Sequence, residues 1–239
     1  NIRDAGFESV NLDLIFGIPH QTIEQWELDM AEAVRLKPDH ISTYCLTFEE
    51  DTALYYRLAK GELSIDPDKE AQYYERAWNF LPTEGYKQYE VSNFALDGMA
   101  CLHNLNTWNM NEWIGFGPSA CSQIDYQRRK NPSNLEEWAA GIVKGFTNDQ
   151  YDEFEQLTPI ALAEDALLFG LRMNQGICLP KISDRFGLPR QSLDNINQFF
   201  EKLLVEGLAE KNDDWICLTQ EGRVRADAIA AEMPVFQID

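Results

Sequence analysis

The stretch Cys101-Leu102-His103-Asn104-Leu105-Asn106-Thr107-Trp108 brings a thiol, an imidazole, carboxamides and an indole into eight residues. That mixture suits haem: an imidazole nitrogen can take the axial position on iron, an indole offers a flat apolar surface to the macrocycle, and an amide can orient a ring nitrogen or a propionate. On this reading His103 is the axial ligand to the iron, Trp108 the apolar wall and Asn104 the hydrogen-bonding partner, with Cys101 as a second-choice ligand. The plainer reading is that His103 and Asn104 pin a long loop.

A second candidate lies near the start. In Val10-Asn11-Leu12-Asp13-Leu14-Ile15-Phe16 side chains alternate, so Asn11, Asp13 and Ile15 share one face of a strand while Val10, Leu12, Leu14 and Phe16 share the other. An ionised Asp13 on such a strand needs donors. Ribose hydroxyls can supply them, and so can neighbouring backbone or an arginine. The turn that follows, Gly17-Ile18-Pro19-His20-Gln21-Thr22, stands where α/β proteins bind ligands, at the carboxyl end of a strand. His20 reads as a surface loop residue there. Gly115-Phe116-Gly117-Pro118-Ser119-Ala120 lacks the spacing of a phosphate-binding loop and reads as a tight turn or as close passage beside a cofactor.

The elements that must position these residues follow from periodicity and caps. The first half alternates β-rich runs with amphipathic helices, the pattern of a parallel sheet with crossovers. Strands are predicted at Ser9 to Phe16, His40 to Phe48 and Gln88 to Asn93. Between them run a helix opened by a Thr22–Gln25 capping box and a second helix from Asp66 to Glu84, closed by Gly85. Phe94 to Gln123 has no clear period and reads as a folded loop. Leu135 to Phe146 reads as a helix, and the acidic Asn148 to Gln156 as a linker. From Leu157 onward the order is three helices (160–173, 179–186, 191–206), a short strand pair within 208–218 turning at Asn212-Asp213-Asp214, and a last helix capped by Thr219. That order is a winged helix. Met173, Phe186, Phe199, Phe200, Leu203 and Leu204 are its predicted core. The predicted domains are thus 1–150 and 157–239.

Composition narrows the function classes. Twenty bases against forty acids give a net charge of −20, which repels phosphate polyanions. The winged-helix segment repeats this bias, with eight bases and thirteen acids over 158–239. A nucleic-acid reader shows a basic stripe instead, so Arg185, Arg190, Lys202 and Lys211 are not taken as a DNA face. No long apolar run suggests a transmembrane segment and no signal peptide is visible, so the expected location is the cytoplasm. Five widely spaced cysteines without a C-x-x-C pair form neither a disulfide framework nor a zinc site. The opening Asn1-Ile2-Arg3-Asp4-Ala5-Gly6 reads as a helix end, which predicts sequence upstream.

Three blocks in order resemble the oxygen-independent coproporphyrinogen III oxidase family of radical-SAM proteins: Asn11 to Pro19 with Gln21-Thr22, Ile41 to Thr47, and Tyr89 to Ala95. Cys101-x-His103-Asn104-x-x-x-Trp108 and Gly115-x-Gly117-Pro118-x-Ala120-x-Ser122 extend the match over nearly the whole chain, and the His-Asn motif is most similar to the family's haem-chaperone branch. The resemblance implies an α/β fold: the C-terminal part of a partial (β/α)6 barrel followed by a small winged-helix α+β domain. It also implies S-adenosylmethionine, with Asp13 on its ribose hydroxyls and Ile15 on its adenine, and a [4Fe-4S] cluster whose cysteines lie outside this chain. Without them the chain alone is expected to be catalytically inactive, and its first strand is expected to be an open edge inviting self-association. Two departures stand out. Thr107 occupies the branch's usual Tyr position, and Glu49-Glu50-Asp51-Thr52 replaces the usual Pro-Gly before Thr. The leading function implied is binding haem and handing it to apo-proteins. The alternatives are oxidative decarboxylation of coproporphyrinogen III and a non-enzymatic docking module.

Overall fold

The structure, a computed structural model, describes residues 2–236. Its contacts divide the chain into two compact units, residues 1–101 and 102–239.

The first unit is a small mixed sheet backed by helices. Strand β1 (Asn11–Phe16) leads through the Gly17–Thr22 turn into α1 (Ile23–Arg35) and then β2 (His40–Cys45). The two strands pair in parallel, with Asn11 opposite His40, Asp13 opposite Ser42 and Ile15 opposite Tyr44. The predicted capping box is present. Thr22 Oγ1 accepts from the Gln25 N–H, and the Gln25 side chain accepts from the Thr22 N–H. A short helix, α2 (Ala53–Ala59), was not foreseen; Thr52 caps it. Helix α3 (Pro67–Thr83) starts on the Asp66 cap with proline in its first turn, as its sequence dictates.

One expected strand is corrected. Gln88 to Asn93 is not a single run but the bend of a hairpin between β3 (Lys87–Gln88) and β4 (Asn93–Ala95), and β4 pairs antiparallel to β2. The cause is Glu90, fully buried, whose carboxylate accepts from the Ser92 N–H and the Asn93 side chain and so bends the backbone locally. The sheet order β1-β2-β4-β3 leaves β1 at one edge.

Phe16 projects from the back of β1 into an aromatic core with Trp26, Tyr73 and Tyr74, at ring distances of 5.2, 5.7 and 4.7 Å. Trp26 also donates its indole N–H to the Tyr73 carbonyl at 3.0 Å, which joins α1 to α3.

In the second unit the segment expected to be a loop holds a helix, α4 (Leu102–Trp108). Its asparagines and threonine are poor helix formers. Tertiary contacts offset this: Trp108 packs edge-on against Phe169, and Arg185 donates to the carbonyls of Asn109 and Met110 at 2.7 and 2.6 Å, just past the helix end. The expected linker is also corrected. Strands β5 (Cys121–Ile124) and β6 (Gln127–Lys130) form a hairpin, helix α5 (Leu135–Lys144) follows, and β7 (Glu153–Gln156) then pairs with β6. Asp125 and Tyr126 both take positive φ in the two-residue turn, the geometry that a tight hairpin favours. The acidic 153–156 segment becomes a strand because it lies against a basic one. Lys130 meets Glu153 at 2.8 Å, and Arg128 lies opposite Glu155.

Helices α6 (Pro159–Arg172), α7 (Leu179–Phe186) and α8 (Asp194–Val205) precede the β8 (Ala209–Asn212)/β9 (Trp215–Leu218) hairpin, and α9 (Gln220–Val224) and α10 (Ala226–Glu232) follow it. Ile177 bridges Ile216 as a third, minimal strand. This is the helix-helix-helix-hairpin order expected from the sequence. Phe200 and Leu203 are buried in its core with Phe186, Phe199 and Leu204 packed against it. Residues between 102 and 157 cluster with these helices through the Met110–Leu157–Leu162 contact and through Arg128, which pairs with Asp165 at 2.6 Å.

Candidate functional site

On the front of the first unit's sheet a chain of polar groups ends at Asp13. The Tyr89 hydroxyl lies 2.8 Å from His40 Nε2, His40 Nδ1 lies 2.7 Å from Asn11 Oδ1, and the Asn11 amide donates to Asp13 Oδ1 at 2.7 Å. Ser42 adds a donor to Asn11 Oδ1 at 3.3 Å. With the Asn11 amide nitrogen on the carboxylate, its oxygen must accept. His40 is then the neutral Nδ1–H tautomer, its Nε2 accepting a hydrogen bond from the Tyr89 hydroxyl. Parallel register brings Asn11 beside His40, and the hairpin turn brings Tyr89. Sequence reading missed both partners because they lie 29 and 49 residues away.

Burial holds the His40 pKa below its ordinary value, and the Asp13 charge pulls it partly back. The unfolded chain therefore takes up this proton first, near pH 6.5. The stability contribution is intact above that pH and is lost as pH falls through the lower folded value. Thermal melts from pH 7.5 to 5 should show this loss, reduced in His40→Gln; an equal loss in the variant would assign it to other groups.

Asp13 itself is exposed, and Ile15, on the same face, is 49% exposed. The Asp13 carboxylate thus keeps accepting capacity toward the open face, next to an apolar side chain. That donor-acceptor set fits ribose hydroxyls with a neighbouring purine. His20 is exposed with φ of 70° and lines a separate cleft of about 280 Å³ beyond the end of β1.

An iron–sulfur cluster does not fit the residues present. Among the described residues no group of three or more His, Cys, Asp or Glu side chains could hold a metal ion, and all five cysteines are free. Burial, and then the Glu70 carboxylate, push the Cys45 thiol up to about 12, so it is a protonated thiol at neutral pH.

In the second unit α4 sorts its functional side chains onto two faces. His103 and Thr107, four apart, share one; Asn104 and Trp108 share the other. His103 and Trp108 are therefore separated by about 140° around the axis and do not converge from the helix alone. His103 is exposed, and its ring has no hydrogen-bond partner among the described residues. Thr107 instead turns its hydroxyl back to the His103 carbonyl at 3.0 Å. Trp108 packs inward, with the Arg172 guanidinium 5.0 Å over its ring. His103 and Asp13 fall in different compact units.

The fold and this C-terminal unit place the chain among proteins with a C-terminal portion of the HemN fold. Residues 157–225 match the HemN C-terminal domain. The coproporphyrinogen III oxidase (HemN) of Escherichia coli, a radical SAM enzyme, superposes with a TM-score of 0.72 at 19% identity, over 96% of this chain and 55% of that one. Heme chaperone HemW of Bacillus subtilis is 32% identical over 230 residues, covering 95% of this chain and 59% of the relative. Heme chaperone HemW of Mycobacterium tuberculosis H37Rv is 35% identical over 228 residues, covering 94% and 55%. The chain belongs to the radical-SAM HemN/HemW family and spans little more than half the length of these relatives.

Proposed function

We propose that this chain is the C-terminal portion of a haem chaperone, a protein that binds haem and passes it to apo-proteins. The observation that carries this reading is His103: an exposed imidazole whose ring has no hydrogen-bond partner among the described residues, on a helix whose His-Asn motif resembles that of the haem-chaperone branch. Neutral imidazole is a common axial ligand, and an exposed one can release its cargo to a competing ligand on an acceptor. The likeness at 32–35% identity to proteins named heme chaperones supports the same reading.

S-adenosylmethionine belongs to this proposal through Asp13 and Ile15. Asp13 would accept from the ribose hydroxyls, held in place by the Asn11–His40–Tyr89 chain, and Ile15 would cover one side of the adenine. The [4Fe-4S] cluster would take its ligands from outside the described residues. We place the boundary between the barrel portion and the C-terminal domain at residues 150–157, and locate the protein in the cytoplasm; among the described residues no helix is long and apolar enough to cross a membrane.

The deciding assay uses the full-length protein with reductant and S-adenosylmethionine under anaerobic conditions. Coproporphyrinogen III should be recovered with its propionates intact, while added haem is bound and transferred to an apo-protein. Release of carbon dioxide from two propionates would overturn the chaperone reading in favour of the oxidase.

A further inference from the structure

The second unit contains a cleft of about 330 Å³ bounded by α4, α6, α7 and β9, within the size range of small-ligand clefts. Its walls are aromatic and aliphatic, chiefly Trp108, Met173, Ile177, Phe186 and Trp215. The charge at its mouth runs against the rest of the molecule. In a chain of net charge −20, its lining includes Lys181 and Arg185 and no aspartate or glutamate. At the chain's overall frequency a lining of this size would carry about two acids.

Lys181 and Arg185 stand four apart on α7 and so share a face. The Lys181 ammonium sits 4.7 Å from the centre of the Trp215 ring and has no carboxylate partner among the described residues. A cation over a ring keeps its N–H donors available. The Trp108 ring forms part of the cleft lining contributed by α4.

We propose that this cleft binds a small planar aromatic anion. Its ring would lie among the indoles and Phe186, and its acidic group would meet Lys181, with Arg185, whose terminal nitrogens donate to the Asn109 and Met110 carbonyls, adding positive charge beside it. The paired aromatic walls suit one or two fused rings. Trp108 lines this cleft and His103 does not, and the proposal does not rest on the haem reading.

The probe is 2-naphthoate, titrated calorimetrically into the full chain with 2-naphthalenemethanol as its uncharged counterpart. We expect saturable one-to-one binding of the naphthoate, at least tenfold weaker binding of the alcohol, and at least a tenfold loss on Lys181→Glu. Lys181 is exposed, so this variant should retain the parent melting temperature. Trp215→Leu should weaken both probes, whereas His103→Ala should leave naphthoate binding unchanged. Equal affinity for acid and alcohol, indifference to Lys181→Glu, or no saturable binding up to millimolar concentration would each overturn the proposal.

Discussion

His103→Ala is expected to weaken haem binding by at least about tenfold, read as loss of the axial-ligand signature in a Soret titration of the full-length protein. The imidazole is exposed and makes no hydrogen bond among the described residues, so its removal should leave the melting temperature unchanged. That separates a lost ligand from a lost fold. The neighbouring Thr107 provides a test in the opposite direction. It lies one helical turn from His103 on the same face, so Thr107→Tyr would set an aromatic ring beside the bound iron and should tighten binding severalfold. Unchanged spectra in the alanine variant would remove His103 from the site. Binding lost only on Trp108→Ala would instead assign haem contact to the other face of α4.

The largest effect on stability should come from Trp26→Ala, at about 3–5 kcal/mol. Trp26 is fully buried, touches Phe16 of β1, and donates to the Tyr73 carbonyl of α3. One truncation therefore opens a cavity at the junction of three elements and removes the hydrogen bond linking two of them. The second unit has its own core of Leu167, Ile196, Phe200 and their neighbours. Denaturant unfolding followed by hydrogen exchange should then show protection lost in residues 2–101 at lower denaturant than in α6, α7 and α8. A uniform loss of protection through both units would show that they unfold as one, and would remove the independence on which the comparison depends.

Much of the architecture was legible because local chemistry determined it. The Thr22–Gln25 capping box, the Asp66-Pro67 start of α3 and the Asp213-Asp214 turn each act within four residues, so the signal lies in adjacent letters. The same is true of α7, whose bounds match those expected. The corrections share a different origin. Helix α4 has weak intrinsic propensity and depends on Phe169 and Arg185, more than sixty residues downstream. Strand β7 was read as a linker because its acidic residues find basic partners only across a sheet. The Gln88–Asn93 run bends because Glu90 is buried and satisfies its neighbours, which no periodicity reveals.

The site divides in the same way. The sequence by itself determined which residue types were available, the alternation that puts Asn11, Asp13 and Ile15 on one face, and the motif around His103. Only the tertiary structure decided their surroundings: His40 and Tyr89 orient Asn11 against Asp13, α4 parts His103 from Trp108, and Lys181 stands over Trp215 at a cleft without acids. Caps and alternation are set by bonds between near neighbours. Burial, charge environment and convergence depend on which distant segments are brought into contact, a property of the packed chain as a whole.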